Sequence, residues 1–395
     1  MKKIFILPAL LLLLTACGSE ETEILNVYNW GEYISDGSEG SVDVNTEFEK
    51  YYYEKHGKKL QVNYTTYASN EDMYNKLKSG GVSYDIVIPS DYMIEKMIDE
   101  DMLLKLNFNN IPNFQYIDEQ YKYAAYDKTN EYTVPYTCGY VGVIYNSALI
   151  DEAPDDWDCL WNEKYAGQIL QFNNPRDAFG TAMYSLGIDV NTTDAEEYRL
   201  AMELLKKQKP LVQSYVMDEI FNKMKNGSAA IAPYYAGDYL SMYADNADLD
   251  FFYPKSGTNI FVDAMCIPSC AKNKEIAEEY INFCLTEEIS VANAEFICYA
   301  SPNVLVKDNS EYIEYMSEIH ENAVEILYPE GGIKSSYFTN LDPDTTNTMN
   351  SMWEELKIEN TVEPWIFIFS GAIVLSLLLM LLYKFIQKKI NEKYY

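Results

Sequence analysis

Between residues 24 and 106 the chain alternates two periodicities, and this alternation restricts the fold more than any other feature. Residues 24–28 read as a short apolar strand, Val44, Phe48 and Tyr52 recur at the spacing of one helical face, and residues 60–66 return to strand alternation. Asn70 opens a helix that Gly80-Gly81 closes, residues 84–88 form an apolar strand, and residues 91–99 are helical again. Strand followed by helix, three times over, predicts an α/β unit with a mostly parallel sheet. The pattern resumes after Pro135, with strands at 141–145, 169–172, 229–232 and 261–267 and helices at 194–207, 218–225 and 274–285. A body of roughly 340 residues exceeds one typical core, so two lobes are expected.

Both ends carry apolar segments. Lys2 and Lys3 precede an apolar run at 4–14, the form of a secretory signal over residues 1–16. Leu14-Thr15-Ala16-Cys17 reads as a lipobox, making Cys17 the lipidated first residue of the mature chain and 17–23 a tether. Residues 365–383 hold no charged side chain, and as a helix they would span roughly 28 Å against a hydrocarbon core of about 30 Å. Trp365 and Tyr383 mark the two edges, and Lys384, Lys388, Lys389 and Lys393 follow. The positive-inside rule then puts residues 384–395 in the cytoplasm and the body of the protein outside. The expectation is a protein on the outer face of the cell membrane, in the periplasmic space where an outer membrane exists, held by a lipid at one end and a single span at the other.

Sixty-one acidic residues against thirty basic ones give a formal charge of −31. That field repels nucleic acid and attracts cations. Arg176 and Arg199 are the only arginines, so the bidentate clamp common in receptors for carboxylates or phosphates is lacking. Apart from Cys17 the cysteines are Cys138, Cys159, Cys266, Cys270, Cys284 and Cys298, none at redox or zinc spacing, and His56 and His320 are the only imidazoles. Buried thiols are the simplest reading, with one or two disulfides open in an oxidising exterior. No cofactor and no metal are expected.

Four short segments, far apart in sequence, each place a carboxylate beside aromatic rings at the end of an expected strand. They are Trp30-Gly31-Glu32-Tyr33, Ser90-Asp91-Tyr92, Tyr234-Tyr235-Ala236-Gly237-Asp238 and Phe261-Val262-Asp263. In open α/β sheets ligands bind beyond the carboxyl ends of the strands, so the economical arrangement turns all four into one cleft. Rings for walls and carboxylates at the ends suit an elongated cation, because ammonium groups need anionic acceptors while the methylenes between them need dry surface. A polyamine has that form.

The segments Tyr28-Asn29-Trp30-Gly31-Glu32-Tyr33, Tyr84-Asp85-Ile86-Val87-Ile88-Pro89-Ser90-Asp91-Tyr92, Val134-Pro135-Tyr136, Asn191-Thr192-Thr193-Asp194, Ala271-Lys272-Asn273-Lys274 and Tyr299-Ala300-Ser301-Pro302-Asn303 resemble the spermidine/putrescine-binding proteins of bacterial ABC importers, in order over roughly residues 24 to 357. The resemblance implies a periplasmic-binding-protein fold of the second type, with 24–134 and 264–306 as one lobe, 135–263 and 307–357 as the other, and a two-stranded hinge. It makes Trp30, Tyr33, Tyr235, Phe261 and Tyr299 the walls around the methylene chain, with Ser90, Asp91 and Tyr92 lining the cleft. Asp263 becomes the central carboxylate and Glu32 a contact at one end. Asn174 stands where spermidine-preferring members carry an aspartate, Asp177 keeps an acid nearby, and Asp238 matches the putrescine-preferring members. Those departures favour putrescine, with spermidine next. Arg176 is expected to orient Asp177 or cap a helix.

The function implied is a non-enzymatic receptor that captures a polyamine and delivers it to an ABC permease. Permease and ATPase must be separate chains, since no Walker A pattern is present. Two alternatives stay open: a ferric-iron receptor of the same fold, using the adjacent phenols Tyr234 and Tyr235, and an extracellular hydrolase using two cleft carboxylates.

Overall fold

A computed structural model describes residues 22–330 and 332–358, together with scattered positions between 376 and 388. Strand β1 (Glu23–Trp30) leads to α1 (Val44–His56), β2 (Leu60–Tyr67), α2 (Asn70–Lys78), β3 (Ile86–Val87) and α3 (Asp91–Asp99). Capping explains the boundaries. Asp43 accepts from the Thr46 N–H at the start of α1, and Gly57 closes that helix at φ 66, in the left-handed region that glycine tolerates.

A long strand, β4 (Thr133–Asn146), opens the second series. It is followed by β5 (Ile169–Phe172), α4 (Pro175–Leu186), α5 (Ala195–Gln208), β6 (Val212–Val216), α6 (Glu219–Lys225), β7 (Ile231–Tyr235), α7 (Ala236–Asp245), β8 (Leu249–Phe252) and β9 (Thr258–Cys266). The chain closes with α8 (Lys274–Cys284), α9 (Glu287–Ile297), α10 (Val304–Lys307), α11 (Ser310–Ile319), α12 (Ala323–Leu327), β10 (Ser335–Ser336) and α13 (Pro343–Lys357).

The strands order as β2-β1-β3-β9-β4-β7-β5-β6, with β8 on β4 and β10 on β9. Two parallel groups, β2-β1-β3 and β7-β5-β6, flank the antiparallel pair β4/β9. β4 belongs to both sides: Thr133 to Tyr140 face β9, and Val141 to Tyr145 face β7. Its register on β9 shifts between Pro135 and Thr137, where proline removes a ladder donor.

Apolar side chains cover both parallel groups. Leu25, Val27 and Ile86 from the first sheet meet Phe48 of α1 and Tyr280 and Ile281 of α8. Leu170, Phe172 and Ile231 of the second meet Phe179, Tyr198, Leu205 and Tyr239 from its helices. Each such side chain, once fully buried, contributes about 1.5–3 kcal/mol.

The expected fold class holds: an α/β chain with mostly parallel groups. α3 and β5 fall where expected, while β7 starts two residues later than its expected strand and β4 begins eight residues before its own. No disulfide forms among the described residues; Cys138, Cys159, Cys266, Cys284 and Cys298 are buried free thiols and Cys270 is half-buried. The signal segment, Cys17 and most of 365–383 lie outside the described residues, and among those described no helix is long and apolar enough to cross a membrane.

Candidate functional site

One cavity, about 780 Å³ measured to its open mouth, lies where the two parallel groups meet. Trp30, Tyr33, Ser90, Asp91, Tyr92, Asn174, Asp177, Tyr235, Asp238, Phe261, Asp263 and Tyr299 all line it, so every expected site residue except Glu32 converges there. Glu32 is exposed, with φ 50, on the chain that leaves β1, and its side chain is not part of the wall. The neighbouring Gly31 is required by close approach, since a Cβ there would lie 2.4 Å from Oδ2 of Asp218.

The wall carries six carboxylates and no basic side chain. Beyond Asp91, Asp177, Asp238 and Asp263, the structure adds Glu71 and Asp218, which sequence reasoning did not assign to the site. Glu71 follows β2 as Asp91 follows β3, so the strand-end rule that found the others would have found it too.

Helix starts supply most of these acids. Glu71 is the second residue of α2, Asp91 the first of α3, Asp177 the third of α4 and Asp238 the third of α7. A helix N-terminus attracts anions through its unpaired N–H groups and dipole. Here the protein fills each of those places with its own carboxylate, and the space between them is left for positive charge.

Four of the acids are each held by a tyrosine. Tyr33 donates to Oδ2 of Asp263 at 2.7 Å, Tyr299 to Oδ2 of Asp238 at 2.7 Å, Tyr235 to Oδ2 of Asp177 at 3.0 Å, and Tyr92 to Oε1 of Glu71 at 3.0 Å. Burial, followed by the neighbouring carboxylate, holds all four phenols well above their ordinary range, so they remain donors. The rings also pack on one another: Tyr33 meets Tyr299 edge-on at 4.9 Å and Tyr235 meets Phe261 at 5.3 Å. Gly237 makes room for this packing, since a Cβ at that position would lie 2.4 Å from the Tyr299 ring.

Asp263 is distinctive because it is 4 % exposed and its second oxygen, Oδ1, accepts no well-formed hydrogen bond among the described residues, although the Ser90 hydroxyl is near enough to favour the charged carboxylate. A buried acceptor left unpaired costs about 1–3 kcal/mol, more when charged. Burial pushes Asp263 up to about 6 and Asp238 up to about 8, and raises Asp91, Asp177 and Glu71 above the usual carboxylate range. Asp91 is better satisfied, with Oδ1 accepting from the Tyr92 N–H at 2.7 Å and Oδ2 from the Val262 N–H at 3.4 Å, so it ties α3 to β9 beside Asp263.

Two expectations change. Arg176 neither orients Asp177 nor caps a helix. Its guanidinium donates to Val190 O, Asn191 Oδ1 and Thr339 O at 2.9, 2.7 and 3.3 Å and stacks 4.3 Å from the Phe338 ring, which joins the loops behind the wall. Asn174 caps α4, accepting from the Asp177 N–H at 2.8 Å while its amide donates to Oδ2 of Asp177 at 2.7 Å. The adjacent phenols Tyr234 and Tyr235 both line the cavity, with ring centroids 4.9 Å apart and each 5.5 Å from Phe172, and Tyr235 hydrogen-bonds Asp177.

Residues 83–320 match the family described as bacterial extracellular solute-binding protein. The chain belongs to that family. Among curated relatives of this solute-binding protein, the spermidine/putrescine-binding periplasmic protein of Salmonella typhimurium is 33% identical over 301 residues, covering 76% of this chain and 83% of the relative. The spermidine/putrescine ABC transporter substrate-binding protein PotD of Streptococcus pneumoniae is 32% identical with a TM-score of 0.67, and 85% of this chain covers 98% of it. The TpPotD lipoprotein of Treponema pallidum is 25% identical with a TM-score of 0.69, and 85% of this chain covers all of it. The resemblance drawn from the sequence motifs is thus borne out.

Proposed function

We propose that this solute-binding protein captures a polyamine outside the cytoplasm and delivers it to an ABC permease, whose ATPase is a separate chain. The observation that carries the reading is the buried Oδ1 of Asp263, which accepts no well-formed hydrogen bond, in a cavity walled by six carboxylates and no cation. The names of the relatives point the same way. A protonated amine supplies the missing donor, and the rings of Trp30, Tyr33, Tyr235, Phe261 and Tyr299 cover the methylenes.

Asp263 is the central anchor in this reading, and Asp238 holds one terminal ammonium. Each charge-assisted hydrogen bond contributes about 1.5–3 kcal/mol and each desolvated cation over a ring about 0.5–2. Two anchored amines with two or three rings are then enough for micromolar binding, about 8 kcal/mol, after association costs. Residues 24–134 with 264–306, and 135–263 with 307–357, act as the two closing lobes, hinged at β4 and β9. The finer localisation is part of the proposal: a lipid at Cys17 and a span at 365–383 hold the receptor at the outer face of the cell membrane, and the relative from Treponema pallidum is likewise named a lipoprotein.

Isothermal titration of the full-length chain with putrescine, cadaverine, spermidine and spermine tests the reading. Binding of at least one at micromolar or lower concentration is expected, and silence with all four overturns it.

A further inference from the structure

The segment that leads from β10 to α13 crosses from one parallel group toward the other, outside the ligand cavity. Ser335 and Ser336 pair in parallel with Thr258 and Asn259 of β9. Beyond them Asn191, in the loop between α4 and α5, fastens the strap on that side: its amide donates to Tyr337 O at 2.8 Å, and its Oδ1 accepts from the Thr339 N–H at 3.0 Å and from Arg176 at 2.7 Å. Arg176 adds a bond to Thr339 O at 3.3 Å and stacks on Phe338, whose ring lines the cavity.

At Asn340 the strap meets α3 of the other group. The Asn340 N–H donates to Oε2 of Glu95 at 2.8 Å, and its side-chain amide donates to Oδ2 of Asp99 at 3.2 Å. Both acceptors are carboxylates, which makes each bond stronger than one between neutral groups. Glu95 is half-buried, Asp99 is exposed, and neither lines the ligand cavity, although Asp91 and Tyr92 at the start of the same helix do. On this side a groove of about 1150 Å³ runs between Tyr74, Met93 and Lys96 of α2 and α3 and Pro175, Met349 and Trp353 of α4 and α13. Asn340 stands in its wall and reaches across to α3.

We propose that residues 337–341 are a closure latch: Asn340, held on one group by Asn191 and Arg176, fastens α3 of the other through Glu95 and Asp99, and this contact sets how long a bound polyamine is retained. This inference rests on the polyamine reading above and adds the control of release. If the groups part by rotation about β4 and β9, α3 must leave the strap, so both bonds break before any ligand escapes. The latch touches no ligand atom and therefore does not rank one polyamine above another. Capture starts from parted groups and does not need it, so its effect falls on dissociation, where differences between closely related complexes mostly lie.

The test is stopped-flow binding of putrescine and of spermidine to the full-length chain and to its Glu95→Ala/Asp99→Ala double variant, followed by tryptophan fluorescence, to which Trp30 in the cavity wall contributes. The dissociation rate should rise roughly three- to thirtyfold, by the same factor for every polyamine that binds, with the association rate changed by less than about twofold and the ligand-free melting temperature nearly unmoved. If the double variant does not fold, Asn340→Ala decides: it removes the bond to Asp99 alone and should raise dissociation by roughly two- to fivefold. An unchanged dissociation rate, a loss carried by slower association, or unequal factors for two ligands that both bind would overturn the latch while leaving polyamine capture intact. Failure of the wild type to bind either polyamine overturns both.

Discussion

Asp85 and Asp263 are buried to nearly the same degree, 0 % and 4 % exposed, and are satisfied in opposite ways. Asp85 sits under the start of α8 and accepts from three backbone N–H groups, those of Asn26, Lys272 and Asn273, each at 2.9 Å. Glu278, 1 % exposed in the same region, accepts from the Asn107 N–H, the Asn110 amide and Lys274. Asp263 has Tyr33 on one oxygen and no well-formed hydrogen bond on the other, with the Ser90 hydroxyl beside the carboxylate. Burial alone therefore does not separate a structural acid from a binding one. The difference lies in whether the protein completes the coordination itself or leaves a place for a ligand.

Removing each acid in turn should break the comparison most sharply. Asp263→Asn should cost about 2–4 kcal/mol of polyamine binding, because an ammonium loses its anion, and the melting temperature of the ligand-free protein should hold or rise. Calorimetric titration and thermal unfolding read the two effects separately. Unchanged affinity in a folded variant would sink the assignment of Asp263 as anchor.

The reciprocal change is Asp85→Ala. It strands three backbone donors, so stability should fall by about 2–3 kcal/mol in chemical denaturation, while the folded fraction binds polyamine as before. If Asp85→Ala lowered affinity at constant stability, the division between structural and binding acids would fail.

pH sharpens the same contrast. Asp263 is raised from 3.8 to about 6 and Asp238 from 3.8 to about 8 by burial, so the ligand-free fold keeps protons that the unfolded chain has already released. Stability of the ligand-free protein should fall as pH rises through that window, because the native state then binds more protons than the unfolded one. Ligand affinity should move the other way, rising between about pH 6 and 8 as the carboxylates ionise, since alkylammonium groups keep their charge up to about 10.4. Titrations in buffers of different ionisation enthalpy should show protons released on binding, and a flat pH profile would show that the cavity acids are already charged without ligand.

Much of this was legible in the chain, and the gaps have physical causes. α3 and β5 were readable because their burial follows a simple period, with Met93, Ile94 and Met97 on one face of α3 and all of β5 buried. The start of β4 was hidden by Pro135 and by the polar Thr133 and Thr137, which are buried along the β4/β9 pair and hydrogen-bonded to Asp127 and Tyr33. α7 escaped because Ala236-Gly237 looks like a turn, whereas the glycine is there for the Tyr299 ring. The convergence of the aromatic-acid segments followed from strand ends. The pairing of each tyrosine with its acid could not be read, since the partners are 230, 61 and 58 residues apart for Asp263, Asp238 and Asp177.

The smallest effect expected comes from Thr137, which never touches the cavity. It is the cross-strand partner of Asp263, directly after the register shift in β4, and its hydroxyl bonds that of Tyr33. Tyr33 has one proton and gives it to Asp263, so Thr137 must donate to the Tyr33 oxygen, and the chain Thr137 to Tyr33 to Asp263 is polarised toward the carboxylate. Thr137→Val keeps the shape and removes the first donor, which should weaken polyamine binding by about 0.5–1.5 kcal/mol. Thr137→Ser should restore it. Restoration by serine separates hydrogen bonding from packing, because serine lacks the methyl group that valine and threonine share. If valine binds as well as threonine, the Thr137 hydroxyl adds nothing to the hold on Asp263, and β4 contributes position without polarity.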